Sequence, residues 1–451
     1  MMRAAIFALL SFALLIGGLW LSRRPHPAQE LLVHFTCDVH GRLVPCGCFS
    51  GQMGGLTRIS SLIGHESPED TLKVDVGNAI EGTADYQVLQ YSYLLKGFAQ
   101  MGYEAANLGY AEAQLSARQL REINASSPVT LLSANLKDQK DGAPIFEGYK
   151  IIRRGSWRIA LVGVMDEHLP AEKLGEGLTI EPMSIALNRL LPDLEKKVDF
   201  IFLLAFADES RLHALAREFY EPQLILGGAV SQPAQQLEHE NRSLILYTTN
   251  QSRALGTLEL SLGSRGKFAK AAGEVALVHD HVPEDAQIRA LSDQYRAEIR
   301  HTKLQVDDPS SQKGDFVPGV HAAAEYVGSE SCIRCHANAA KVWQNTSHAG
   351  AFQALLKSSA DADPNCVGCH TVGFGAPSGY RREFGGAKLA DVGCESCHGP
   401  GSAHVAQHEP GADVTTHFRP LGAGDCEKCH HGEFSRPFDW NEFWPRIQHG
   451  R

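Results

Sequence analysis

Residues 394–404 read Cys394-Glu-Ser-Cys397-His398-Gly-Pro-Gly-Ser-Ala-His404. The opening pattern, Cys-x-x-Cys-His, also occurs at Cys332 to His336, Cys366 to His370 and Cys426 to His430, about 30 residues apart and all in the C-terminal part of the chain. Two thiols two residues apart, followed at once by a histidine, form the attachment signature of a c-type haem. The spacing answers a chemical need, because the thiols add across two porphyrin vinyl groups and the next residue swings under the iron as an axial ligand. The expected attachment points are therefore Cys332, Cys335, Cys366, Cys369, Cys394, Cys397, Cys426 and Cys429. The expected proximal ligands are His336, His370, His398 and His430, for four covalently attached haems c. Eight cysteines would also suffice for two zinc sites of four thiolates each. Zinc gives no reason for a histidine directly after every second cysteine, and a disulfide framework gives none either.

The other axial positions are limited by composition. Seven further histidines follow residue 320, namely His321, His348, His404, His408, His417, His431 and His449, and no methionine follows Met183. Histidine/methionine ligation, the usual route to a high haem potential, is excluded here. Bis-histidine or five-coordinate irons of low potential are expected.

A chain of 451 residues suggests two or three domains. Its net charge of -10 gives no electrostatic case for nucleic acid, and haem propionates would make it more acidic. Ala4 to Leu21 is apolar or small, follows Arg3 and precedes Arg23 and Arg24. Such a stretch is just long enough to span a bilayer. No small-x-small cleavage site stands after it, so a transmembrane anchor is expected over a cleaved signal helix. No cysteine lies there to take a lipid. Because haem c is attached outside the cytoplasm, the expected location is the periplasmic side of the inner membrane, anchored by this helix or exported after cleavage.

From Leu31 to Val278, short runs rich in Val, Ile and Leu alternate with helical segments. Strands are predicted at 31–36, 72–76, 158–165, 200–206, 224–226 and 244–248, with helices such as 86–101 and 184–195. An amphipathic helix is predicted at 284–301, and a turn-rich linker at 307–318. After Tyr326 strand patterns vanish, as suits a mostly α, loop-rich domain whose porphyrins supply the buried apolar surface. The expected domains are 1–29 (anchor or signal), 30–280 (α/β), 281–325 (helix and linker) and 326–451 (multihaem).

Two resemblances sharpen this reading. Tyr326-Val-Gly-Ser-Glu-Ser-Cys332, Trp343 with Ser347-His348, the 394–404 stretch, and Phe443-Trp444 ahead of His449-Gly450 resemble the tetrahaem cytochromes c of nitrifying bacteria and their multihaem relatives. The resemblance implies that His348, His404 and His449 are distal ligands. It also implies that one haem, that of His370, lacks a protein ligand on its distal side. His321, His408, His417 and His431 are expected to be solvated or supporting residues.

Cys37-Asp38-Val-His40-Gly, Gly54-Gly55-Leu-Thr-Arg58, Val74-Asp75-Val-Gly77-Asn78, Asn107-Leu-Gly109-Tyr110-Ala111-Glu112 and Leu226-Gly227-Gly228 resemble, in order and spacing, the calcineurin-like metallophosphatases of the 5'-nucleotidase branch. This implies an α/β layered sandwich of two sheets flanked by helices. The family's two-metal site needs an Asp-x-His pair, a bridging Asp, an Asn and three further His. Here Asp38 and His40 remain, Asn78 stands at the bridging position, and Tyr110, Ala111, Phe206 and Ala229-Val230-Ser231 replace the rest of the motif residues. Two of seven ligands cannot assemble such a site, so no phosphatase activity is expected, and Asp38, His40 and Asp75 are expected to be satisfied polar residues. Cys37, Cys46 and Cys48 are expected to leave one disulfide from Cys37 and one thiol, with a redox-active pair as the alternative.

The expected function is a periplasmic multihaem cytochrome moving electrons between redox partner proteins or quinol-linked donors, with the α/β domain as scaffold or docking module. The alternatives are a redox enzyme working at a five-coordinate haem and a metal-dependent nucleotide phosphohydrolase coupled to a cytochrome.

Overall fold

The computed structural model describes residues 29–45, 52–64, 66–249, 251–302, 324–382, 386–408, 418, 420–431 and 438–449. The expected N-terminal helix, the linker, Cys46, Cys48, His321 and His417 lie outside the described residues. Among the described residues no helix is long and apolar enough to cross a membrane.

The α/β part runs β1 (Gln29–Thr36), α1 (Leu56–Ile63), β2 (Thr71–Asp75), α2 (Asp85–Gln100), β3 (Ala105–Asn107), α3 (Ala117–Ser126) and β4 (Thr130–Leu132). It continues with β5 (Leu136–Asp138), β6 (Tyr149–Arg154), β7 (Trp157–Met165), β8 (Leu178–Ile180), α4 (Met183–Lys197), β9 (Phe200–Phe206) and α5 (Glu209–Glu218). Then follow β10 (Leu224–Gly228), β11 (Glu238–Glu240), β12 (Ser243–Tyr247), β13 (Ala254–Ser264), β14 (Lys267–Leu277) and α6 (Ala286–His301). The six predicted strands coincide with β1, β2, β7, β9, β10 and β12, and the three predicted helices with α2, α4 and α6, each within a few residues.

Two six-stranded sheets result, in the orders β14-β13-β1-β2-β3-β4 and β11-β12-β10-β9-β7-β6, beside a small β5-β8 pair. Strands β1 to β4 are parallel in the first, and β7, β9, β10 and β12 in the second. The sequence explains the layering. All seven residues of β9, Phe-Ile-Phe-Leu-Leu-Ala-Phe, are buried, and a strand with no polar face must be covered on both sides. Helix boundaries are equally local: Ser116 and Gln119 close a capping box on α3, and Asp208 and Asp285 cap α5 and α6.

Two buried asparagines tie the sheets together. Asn107 Nδ2 donates to Val76 O at 2.9 Å and to Val164 O at 2.8 Å. Asn135 Nδ2 donates to Met165 O and Glu181 O, while its Oδ1 accepts from Met165 N. Gly163 makes the seam possible, since a Cβ there would stand 2.5 Å from Asn107 Oδ1.

The chain divides into two compact units that are not consecutive in sequence. Described residues up to Val39, with Ile63–Ala79 and Met101–Leu277, form the first. His40–Leu62, Ile80–Gln100 and the residues from Val278 form the second. Two segments from within the expected 30–280 domain thus pack with the C-terminal region. Helix α2 lies against α6 through Tyr93 and Tyr295, whose rings meet edge-on at 6.0 Å, and Tyr93 donates to Glu298 at 2.5 Å.

Beyond α6 the second unit holds short helices: α7 (Ser329–Ile333), α8 (Ala337–Gln344), α9 (Ala351–Lys357), α10 (Pro364–His370), α11 (Cys394–His398), α12 (Ser402–Gln407), α13 (Ala423–Glu427) and α14 (Trp440–Phe443). Here the buried apolar cluster is small, formed by Leu355, Ala360, Val367, Val372, Tyr380 and Leu389. The mostly helical, loop-rich character expected from sequence is what the structure has.

Replacing Asn135 by Ala strands the Met165 and Glu181 backbone groups, and should lower unfolding stability by about 1–3 kcal/mol, read by chemical denaturation of the purified protein.

Candidate haem sites

Each Cys-x-x-Cys-His sequence forms one helical turn. In the first motif the N–H of His336 donates to Cys332 O at 3.0 Å, and in the fourth His430 donates to Cys426 O at 2.9 Å. The second and third motifs lie in α10 and α11. A helical turn sets residues three and four apart on one face, so both thiols and the imidazole can address one planar group.

The histidines then pair across the fold. The ring centres of His336 and His404 are 6.1 Å apart, those of His348 and His430 6.0 Å, and those of His398 and His449 5.9 Å. One iron bound by two imidazoles through bonds of about 2 Å separates their ring centres by roughly 6 Å. The donor set and spacing therefore fit haem at these three motifs, with His404, His348 and His449 opposite His336, His430 and His398. Burial, with neighbouring imidazoles adding to it, lowers the pKa of His348 and His398, and burial alone lowers that of His430. That favours the neutral imidazole, which is the ligating form.

His370 is held differently. Its Nδ1 sits 2.7 Å from the Ala351 carbonyl, a bond that fixes ring orientation and leaves Nε2 to ligate. The motifs also meet one another. The Cys332 and Cys394 side chains lie beside one another, as do those of Cys369 and Cys429.

Several supporting residues carried no sequence signal strong enough to single them out. Glu395, the second residue of the third motif, is 3 % exposed and accepts backbone N–H groups from Val327, Gly328 and Gly401. One buried carboxylate thereby joins the approach to the first motif, the third motif and the turn that carries His404. Trp343 donates from Nε1 to Val392 O at 2.8 Å, and Val392 N donates to His348 O, which anchors His348 to the chain leading into the third motif. His408, expected as a supporting residue, lies edge-on to His404 at 4.6 Å.

In the first unit, left-handed residues cluster at the carboxyl ends of β1, β2 and β10: Asp38 (φ 62°), Asn78 (φ 62°) and Ala229 (φ 58°). Non-glycine residues in such conformations cost about 1–3 kcal/mol each and mark functional loops. The side chains around Asp38 do not fit a pair of metal ions. Asp38 Oδ1 accepts from Asn78 Nδ2 at 2.7 Å and Oδ2 from the Thr249 hydroxyl at 2.8 Å. Tyr110 and Phe206 meet edge-to-face at 5.1 Å. Glu112 accepts from the N–H groups of Asn78, Ala79 and Gly109. Asp75 accepts from Thr36 and Gly77, and burial pushes its carboxyl well above the usual range.

The buried Cys37 thiol donates to Gly77 O at 3.5 Å, and its expected disulfide partners Cys46 and Cys48 lie outside the described residues. Its sulfur packs where a Cβ on Gly228 would come within 2.0 Å, so the side chain points into the strand junction. Among the described residues the group compact enough for a metal ion is Asp166, Glu167 and His168, which sequence reading did not single out. Arg211 already pairs with both carboxylates, at 3.6 and 2.8 Å. A cavity of about 780 Å³, lined in part by Asp208, Glu209, Ser231, Glu238 and Tyr247, opens at the carboxyl ends of β9, β10 and β12.

Comparison with known proteins agrees with both halves of this description. Residues 331–399 match the family described as cytochrome c554 and c-prime. Cytochrome c-554 of Nitrosomonas europaea is 39% identical over 102 residues, covering 19% of this chain and 43% of that protein. Bovine 5'-nucleotidase is 23% identical over 329 residues, covering 64% of this chain and 55% of that protein. The chain thus spans about half the length of these relatives. Among solved structures, the sulfate thiohydrolase SoxB from Thermus thermophilus superposes with a TM-score of 0.54 at 17% identity, over 60% of this chain and 61% of that one. A 5'-nucleotidase precursor, also from Thermus thermophilus, gives 0.51 at 18% identity, over 73% and 68%. The N-terminal part has a calcineurin-like, 5'-nucleotidase-type fold, and the C-terminal part is a cytochrome c554 domain. That domain implies covalently bound haem c and a multihaem cytochrome role.

Changing His404 to Ala should convert one haem from low spin to high spin and leave the haem content unchanged, as read by electron paramagnetic resonance (EPR) of the oxidised protein. Changing Glu395 to Ala removes a charged acceptor from three backbone donors and should lower stability by about 1–3 kcal/mol, measured as the thermal midpoint followed in the Soret band.

Proposed function

We propose that this protein is a periplasmic electron carrier with four haems c, anchored to the inner membrane by its N-terminal apolar segment or exported after cleavage. Bound haem supplies reversible one-electron exchange at its iron. Cys332 with Cys335, Cys366 with Cys369, Cys394 with Cys397, and Cys426 with Cys429 hold the four groups, and His336, His370, His398 and His430 are proximal ligands. His404, His348 and His449 ligate opposite His336, His430 and His398. The single observation that carries this reading is the set of three histidine pairs with ring centres 6.1, 6.0 and 5.9 Å apart.

Redox partner proteins or quinol-linked donors exchange electrons with these haems.

The 5'-nucleotidase-type domain is a scaffold or docking module without phosphatase activity. Support comes from the Asp38 oxygens, both occupied by protein donors, and from Tyr110 and Phe206 at former ligand positions. A second reading, small-molecule redox chemistry at the haem on His370, draws on the commitment of His348, His404 and His449 to the other three motifs.

A pyridine haemochrome assay should give four haems c per chain, and two or fewer would sink the proposal. Nucleotide monophosphates with added manganese should not be hydrolysed, and hydrolysis abolished by Asp38→Ala would overturn the scaffold assignment. A purely low-spin EPR spectrum would remove the second reading.

A further inference from the structure

Helices α9 and α10 form a hairpin whose open end carries the haem ligand His370, bonded through Nδ1 to Ala351 O at 2.7 Å. The closed end, residues 358–363, is gripped by parts of the chain outside the matched cytochrome region. On α6, Arg296 Nη1 donates to Ser358 O at 2.9 Å. One turn further on, Arg300 Nη2 donates to Ser359 O and reaches Asp361 Oδ1 at 2.5 Å. Ser359 stands at φ 55°, a left-handed position that turns its carbonyl toward these donors. Ahead of α2, Glu81 Oε2 accepts from Asn365 Nδ2 at 3.0 Å, one residue before the attachment cysteine Cys366, and Glu81 is itself paired with Arg42.

The grip is partly buried and involves charged groups. Tyr295 on α6 is 1 % exposed, and burial holds its hydroxyl well above the usual range, with Asp363 adding to the rise. Asp363, which caps α10 through Asn365 N, is pushed up to about 6 by burial, while Arg296 and Arg42 pull the other way and Glu81 adds to the rise. Hydrogen bonds to charged groups are worth roughly twice neutral ones. The arms of the hairpin are packed together by Leu355, Ala360 and Val367, with Phe352 and Cys366 against them, so a shift at the turn is passed to the ligand end.

We infer that Arg296 and Arg300 of α6, with Glu81, are positioning residues for the haem held by Cys366, Cys369 and His370. They fix the α9–α10 hairpin at its turn and so set the orientation of the His370 ring and the strength of its Nδ1 bond to Ala351. Ring orientation and this bond tune ligand basicity, and with it the iron's potential. The segment 80–100 and α6 thus have a task at this haem. This inference rests on the proposal that the Cys366–His370 motif carries a haem.

The test uses the full-length, haem-loaded protein. Pyridine haemochrome first establishes that four haems are present in the wild type and in Arg296→Gln/Arg300→Gln. The potential and EPR signature of the haem in question are assigned with a His370→Met variant. In the double Gln variant that one wave and that one signal should shift, with the other three haems unmoved, and Arg296→Lys/Arg300→Lys should restore most of the shift. Glu81→Gln, a milder change that keeps an acceptor for Asn365, should move the same wave in a smaller measure. An unchanged wave in both Gln variants, or an equal shift of all four haems, would overturn the inference. A wild type with no haem at Cys366 and Cys369, seen as three haems per chain, would overturn the reading beneath it.

Discussion

Two imidazoles that are to share one iron tolerate little error in their separation, and three histidine pairs of the second unit meet that condition. The paired histidines come from distant stretches of chain, yet their ring centres lie close to 6 Å apart. Helical turns supply half of each arrangement locally, because a Cys-x-x-Cys-His turn sets its own thiols and imidazole. The other half depends on packing between turns. With so small an apolar cluster among the described residues, polar links carry much of that task. Glu395 is the clearest case: one desolvated carboxylate holds three backbone donors from two separate stretches. Trp343 and Val392 do the same for His348.

The first unit keeps a 5'-nucleotidase-type fold with an unusual set of side chains at its strand ends. Its strand ends keep the strained left-handed residues Asp38, Asn78 and Ala229, conformations that persist only when the surroundings enforce them. What enforces them here is a closed set of hydrogen bonds. Asn78 donates to Asp38 and accepts from Ala111, while Glu112 gathers the N–H groups around it. The two Asp38 oxygens accept from Asn78 and Thr249. The aromatic contact between Tyr110 and Phe206 fills space in the same neighbourhood.

The two compact units do not follow the chain order. Residues 40–62 and 80–100 leave the α/β sandwich's sequence range to pack with α6 and the C-terminal helices. The apolar face of α2 includes Tyr86, Tyr91, Leu94, Leu95 and Phe98. Gly97 lets α1 approach, since a Cβ there would stand 2.7 Å from Leu56. This arrangement is what brings Glu81 to Asn365 and the α6 arginines to residues 358–361.

Residue identity and short spacings were enough to pick out the cytochrome motifs, the alternation of strands and helices, and the resemblance of each half to its family. Each of these can be read without knowing what lies opposite. Which partners meet emerges only once the chain is folded. His404 follows His398 by a few residues yet faces His336, and His449 faces His398. Cys37 is turned inward as a thiol, and Glu395, an ordinary letter between two cysteines, becomes the hub of two motifs. Such contacts join residues far apart in the chain, and their geometry is set by packing and by the satisfaction of buried polar groups, which no local pattern encodes.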